Sequence, residues 1–312
     1  MMKIFKWVTK DTTIDFMKAR KFTYTLSIVM VLASFASLAV KGLNYGIDFS
    51  GGILIELKSE NKIDVEALRK QLGDVNLDEI NLQSIGEEGN EVVLRAQAKN
   101  LNEKEQMAAV NQIKSVLGNS YEYRRVELVG PQVGNELKKA GIIASLVAVL
   151  AISAYIWFRF EWQFAVGALI GLFHDLIVTI GLLSVLGFDF SLTTIAAILT
   201  LAGYSVNDTV VTYDRIRENL RKYKKMPQYD LLNKSINDIF SRTILTGFTT
   251  LFASLALLVF GGDTLRSFSF TIFWGIIVGT YSSIYVSAVF LNLFDLRASQ
   301  DEKALNPFGN VE

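Results

Sequence analysis

The sequence predicts a mainly α membrane protein, with six transmembrane helices and one compact α+β domain inserted between the first and second. Three observations carry that expectation. The 312-residue chain is 51% hydrophobic and 20% charged, with a formal net charge of +0. Its apolar residues gather into six runs, each near the roughly 20 residues of helix that cross a bilayer. Its three prolines, Pro131, Pro227 and Pro307, all lie outside those runs. Such a composition speaks against a nucleic-acid-binding surface and against an ordinary soluble enzyme. Cysteine is absent, which excludes disulfides and thiolate metal sites, and the one histidine, His174, cannot build a zinc centre alone. No cofactor or metal is expected.

The first run, Phe22–Val40, exceeds the about 7–15 residues of a signal-peptide core and follows the basic segment 1–21, so it is expected to be a retained anchor. The other runs are Gly141–Phe158, Phe164–Leu186, Leu192–Val211, Thr243–Phe260 and Phe268–Phe294. Lysine and arginine cluster before run 1, at Arg159 between runs 2 and 3, and from Arg215 to Arg242 between runs 4 and 5. The rule that short basic loops stay inside then predicts cytoplasmic termini, including the tail 295–312, and an extracytoplasmic segment 41–140.

That outer segment alternates patterns in a readable order. "GGILIELK" (Gly51–Lys58) predicts a strand, "DVEALRKQL" (Asp64–Leu72) a helix, and "EINLQSIG" with "EVVLRAQA" two strands around the turn "EEGN". "NEKEQMAAVNQIKSVL" predicts a second helix, capped by Asn102, and "YEYRRVELV" a last strand. The order β-α-β-β-α-β is that of a ferredoxin-like unit. No Ser, His or Cys nucleophile is paired with a base, so a binding or moving module is expected rather than an enzyme. Five glycines and one proline at its two connections, Gly46, Gly51 and Gly52 on one side and Gly130, Pro131 and Gly134 on the other, are candidate hinges or simple turn formers.

Within the bundle of runs 2–6, spanning 141–294, ionisable residues mark the candidate site. Asp208 sits about 25 Å into run 4, counting about 1.5 Å per residue from its outer end. A carboxylate there either lies on an ion path or snorkels to the interface. Arg242 opens run 5 at similar depth, so the two are expected to pair. His174 and Asp175 interrupt run 3, and Asn207 adjoins Asp208; these are secondary ion-path candidates, with His174 open equally to a packing role. Gly203 joins Gly167, Gly171, Gly275, Gly279 and Ser283 as small residues that let helices approach closely. Asp214 and its charged neighbours are expected to form a solvated face. In the connection 212–242, Leu232, Ile236, Ile239 and Phe240 share one helical face, predicting an amphipathic helix at the inner interface.

"GIDFSGG" (Gly46–Gly52), "VGPQVGNEL" (Val129–Leu137), "GYSVNDTVVTYDRIREN" (Gly203–Asn219), "SRTILTGFTTL" (Ser241–Leu251) and "LRSFSFTIFWGIIVGTYSSI" (Leu265–Ile284) resemble, in order, the signature blocks of the SecD/SecF family. These are bacterial protein-export membrane proteins of the resistance-nodulation-division type. The resemblance implies a SecD partner and work beside the SecYEG channel of the inner membrane. It also implies use of a proton or sodium gradient to draw exported, unfolded polypeptide outward. It matches Asp208 and Arg242 to the family's ion-coupling residues. Two other roles suit the architecture, a passive scaffold for the export complex and half of a small-molecule exporter. Membrane lipid is the expected surroundings; nucleic acid is not an expected partner.

Overall fold

A backbone in hydrocarbon must satisfy its own polar groups, and a helix does so within one segment. Each apolar run is accordingly helical in the structure, a computed structural model that describes residues 12–75, 79–85, 89–97, 103–118 and 120–297. Among these, six helices are long and apolar enough to cross a membrane. In chain order the helices are α1 (Arg20–Val40), α2 (Ile47–Ser50), α3 (Val65–Gln71), α4 (Glu103–Leu117), α5 (Pro131–Arg159), α6 (Trp162–Leu186), α7 (Leu192–Lys222), α8 (Gln228–Phe260) and α9 (Gly262–Ser282). The strands are β1 (Asn44–Tyr45), β2 (Gly52–Lys58), β3 (Glu79–Ile85), β4 (Glu91–Gln97), β5 (Glu122–Val129) and β6 (Asp189–Phe190).

Local chemistry sets the ends. Gly187 adopts the left-handed conformation at φ 69°, which a glycine reaches without a Cβ penalty. Its amide and that of Phe188 then return to Ser184 and Leu183 and close α6. Pro227 opens α8, which then meets no breaker until Gly261. The helix expected within 212–242 is therefore the first part of α8 and runs on into the fifth span without a break. Leu232, Ile236 and Ile239 are buried along the first half of one continuous 33-residue helix. Phe240 instead packs on Phe16, ring centroids 5.1 Å apart. The last span departs from expectation too: α9 passes into a π-helical segment, Ser283–Ala288, and ends in a 3₁₀ turn, Leu291–Leu293.

The chain forms two compact units. One comprises Asn44–Ser145 and Asp189–Ile195. Its sheet has the order β3-β4-β2-β5 with antiparallel neighbours throughout, and α3 and α4 supply the crossovers of a β-α-β-β-α-β chain. Ile53, Ile55 and Leu57 alternate inward on β2 and meet Leu68 of α3 and Ile113 of α4 in one apolar core. Asp64 caps α3 by accepting the amides of Glu66 and Ala67. Asn102, the cap expected for α4, and Glu87 and Glu88 of the "EEGN" turn lie outside the described residues. A second, two-stranded sheet pairs β1 with β6 in parallel. There Asp189 accepts from Asn44 and forms an ion pair with Arg95. Burial pushes the Asp189 carboxyl above the usual aspartate range, and the Arg95 guanidinium opposes that rise.

The other unit holds the chain up to Leu43, Leu146–Phe188 and the chain from Ala196 on. Burial sorts its helices. In the most apolar window of α6, 56% of residues are buried, and in that of the last span 61%, against 17% for α1, 11% for α5 and 17% for α8. The middle of this unit is therefore built from α6, α7 and the last span.

Candidate functional site

The central helices meet through residues too small to hold them apart. A Cβ on Gly167 would lie 2.5 Å from the Tyr213 hydroxyl, one on Gly171 2.1 Å from Ser287 Oγ, and one on Gly275 2.5 Å from Leu201. On Gly279 it would meet Ser205 at 3.3 Å. Gly203 differs, since a Cβ there would meet nothing within 4 Å, and it makes no close helix approach inside this chain.

Close approach brings two carboxylates into reach of hydroxyls on neighbouring helices. Asp208, on α7, is partly buried. Its Oδ1 accepts from Thr243 of α8 at 3.2 Å, and its Oδ2 accepts from Ser283, the first residue of the π segment, at 2.8 Å. Arg242 is exposed and forms no ion pair with Asp208 among the described residues. Arg242 precedes Thr243 by one residue and so points about 100° away around α8. The helix face that meets α7 presents the threonine. Asn207 is exposed as well, diverging from Asp208 by the same rotation.

Asp175, on α6, is fully buried. Oδ2 accepts from Ser205 of α7 at 2.5 Å and from Ser282 of α9 at 2.7 Å, and Oδ1 lies 2.9 Å from His174 Nδ1. The His174 ring is buried and lies 6.1 Å from the Tyr281 ring, while nothing among the described residues hydrogen-bonds its Nε2. Thr179 Oγ1 and Ser287 Oγ are also buried without a partner there. Polar groups with spare hydrogen-bonding capacity thus line the middle of the unit, where each is costly unless served. The Tyr213 hydroxyl donates to the Ser287 carbonyl at 3.1 Å, fixing the π segment against α7.

The sequence singled out Asp208, Asp175, His174 and Ser283, and the structure gathers them around α6, α7 and the last span. Thr243 and Ser282 were not singled out. Ser282 shares a helix face with Gly275 and Gly279, while the residue singled out beside Thr243, Arg242, points elsewhere. Asp214 pairs with Arg159 at 2.9 Å on an exposed face, where such a pair contributes about 0–1 kcal/mol.

The candidate hinges have a tighter geometry than a free joint. Gly51 and Gly52 hold φ of 69° and 129°, and a Cβ on Gly51 would lie 3.1 Å from Pro131 Cα. A Cβ on Gly134 would lie 3.1 Å from the Gly51 amide nitrogen. These glycines permit backbone-to-backbone contact, and Gly46 sits 3.4 Å, by the same measure, from Ser191. Only Gly130 has open space around it.

Comparison with known proteins places this arrangement. A family model described as "Protein export membrane protein SecD/SecF, C-terminal" matches residues 109–297, and the SecD/SecF GG motif matches residues 36–63. Protein translocase subunit SecF of Rickettsia bellii (strain OSU 85-389) is 49% identical over 284 residues, covering 90% of this chain and 93% of the relative. Its counterpart from Rickettsia prowazekii (strain Madrid E) is 46% identical over 293 residues, 93% of each chain. The crystal structure of SecDF from Thermus, described as a translocon-associated membrane protein, superposes with a TM-score of 0.81 at 36% identity. That match covers 91% of this chain but 39% of the Thermus chain, so the present chain spans well under half the length of that solved protein. The chain belongs to the SecD/SecF family of protein-export membrane proteins, on its SecF side.

Proposed function

We propose that this chain pairs with a SecD subunit and couples an ion gradient to polypeptide export beside the SecYEG channel of the bacterial inner membrane. Both termini face the cytoplasm and the α/β unit faces outward, in keeping with the basic residues flanking α1 and α7. Asp208 is the ion carrier. A proton or a sodium ion neutralises its carboxylate and weakens the charge-assisted bonds from Thr243 and Ser283. Packing of α7 against α8 and the π segment then changes, and the outer unit moves with it. No covalent bond is made or broken. One charge crossing 100 mV supplies about 2.3 kcal/mol, enough to bias a conformational equilibrium of that size.

The observation that carries this reading is the position of the Asp208 carboxylate, held among the described residues by hydroxyls that come from two other elements. Arg242 forms no ion pair with it among the described residues. The test is ion-gradient-dependent export into inverted vesicles carrying matched amounts of this chain and SecD. Asp208→Asn should abolish the gradient's stimulation while leaving assembly intact, and Arg242→Met should reduce it. Full stimulation with Asp208→Asn would leave a passive scaffold as the role of the chain, because removing a costly buried charge is then neutral or stabilising.

A further inference from the structure

We propose that Asp175 with His174 is a second protonation site, and that Ser282 and Ser283 are the switch linking its charge to that of Asp208. The coupling to export rests on the ion-carrier role of Asp208, but the site stands on separate observations. Asp175 is fully buried, where a carboxylate is costly unless donors surround it. Its donors come from three helices, namely Ser205, Ser282 and His174. With Nε2 unpartnered, the favourable imidazole is the neutral Nδ1–H tautomer, which exposes a lone pair there in place of a bare N–H. That lone pair is a proton acceptor with no partner among the described residues. His174 also lines an apolar cavity of about 500 Å³, together with Tyr24, Phe173 and Phe290.

The proton step balances within the pair. A proton bound at Nε2 allows the Nδ1 proton to pass to Asp175 Oδ1, leaving a neutral Nε2–H imidazole and a neutral carboxyl. The pair goes from one negative charge to none. Its titratable neighbours are Tyr281 of α9, whose ring lies 6.1 Å from the His174 ring, and Tyr24 of α1, which lines the same cavity. No lysine or arginine forms an ion pair with it among the described residues.

Ser282 and Ser283 make the two carboxylates read one another. Each hydroxyl carries a single hydrogen and has two acceptors in reach. Ser282 lies 2.7 Å from Asp175 Oδ2 and 3.1 Å from the Gly279 carbonyl, and Ser283 lies 2.8 Å from Asp208 Oδ2 and 3.0 Å from the Thr280 carbonyl. An ionised carboxylate wins the hydrogen, whereas a protonated one releases it to the helix's own carbonyl. The two serines are consecutive, the last residue of α9 and the first of the π segment. Loading either carboxylate therefore changes hydrogen bonding at the same backbone junction, of a kind that recurs at functional sites. On α7, Ser205 and Asp208 share a face three residues apart.

Infrared difference spectra of the full chain with SecD in membranes, recorded as pH falls, test the site, and gradient-driven export tests its use. Asp175→Asn should remove one protonated-carboxyl band and lower gradient-driven export about tenfold or more, the scale of losing a proton-transfer group. Ser282→Ala keeps both carboxylates and should shift the bands of Asp175 and Asp208 together, which a packing residue would not do. An unchanged band set in Asp175→Asn, or a Ser282→Ala effect confined to the Asp175 band, overturns the proposal. If Asp175→Asn does not accumulate, the Ser282→Ala bands decide alone. Asp208→Asn without export while Asp175→Asn exports normally sinks only this proposal; normal export by both sinks the ion-carrier role as well.

Discussion

The two units of the chain bury opposite kinds of residue. In the α/β unit, Ile53, Ile55, Leu57 and Leu94 are fully inside. In the helical unit, Asp175 is 0% exposed while Phe22, Phe158 and Phe260 are 71%, 88% and 86% exposed. The same physics operates on both. Water drives apolar surface inward in the first, whereas lipid is as apolar as leucine and leaves small size and hydrogen bonds to hold the second. Burial is thus read against the solvent outside. In the helical unit, inverted polarity is what locates the candidate site.

The sharpest break of that contrast is a size change at a helix seam. A Cβ on Gly181 would lie 2.2 Å from Ser34 Cβ and 2.6 Å from its backbone Cα, so Gly181→Val should push α1 off α6. Loss of folded protein in detergent, followed by thermal unfolding, is the expected outcome. Gly73→Ala in the α/β unit meets nothing within 4 Å and should stay within about 0.5 kcal/mol of the parent. A mild Gly181→Val would mean that small residues do not set the packing.

Next in size is the pair Ile55→Ala and Asp175→Asn. Emptying a core position of the α/β unit should cost about 2–5 kcal/mol in chemical denaturation. Removing the buried charge of the helical unit should leave stability unchanged or raised, even as it costs function. Equal destabilisation by both would erase the distinction drawn between the units.

The smallest effect concerns the segment before α1. Asp15 accepts from Asn233 and Tyr229, and the Met17 amide donates to Asn233, so residues 12–17 lie along α8. The Asn233 hydrogen bond holds the Asp15 carboxyl below its ordinary range. A depressed acid contributes its stability above the unfolded value and loses it as pH falls through the folded one. Protection of the Met17 amide, measured as the ratio of intrinsic to observed exchange rate, should therefore be higher at neutral pH and fall on acidification below the usual carboxylate range, modestly because the site is exposed. A protection factor flat across that window would remove Asp15 from the contact.

Legibility in the sequence followed how local each cause is. The six spans and the β-α-β-β-α-β order were readable because hydropathy and alternation are properties of neighbouring residues. Asp208 and Asp175 were readable because a charge inside an apolar run is rare. Thr243 and Ser282 were not, since serine and threonine are common in membrane helices and bond their own backbone. The Asp208–Arg242 pair failed for a geometrical reason: equal depth on consecutive helices fixes height but not rotation. Gly181 escaped notice because its counterpart, Ser34, lies on another helix. Nothing in "SSIYVSA" announces a π segment, for it contains no glycine or proline.

The seams along α6 also set the direction in which this sequence can drift. At Gly171 and Gly181 the facing atoms already stand closer than any side chain allows. Glycine has no smaller replacement, so mutation at these positions can only add bulk. Compensation must come from the opposite helix, yet Ser287 and Ser34 have little left to give up. Each glycine and serine there is bound to change, if at all, as a pair across two helices.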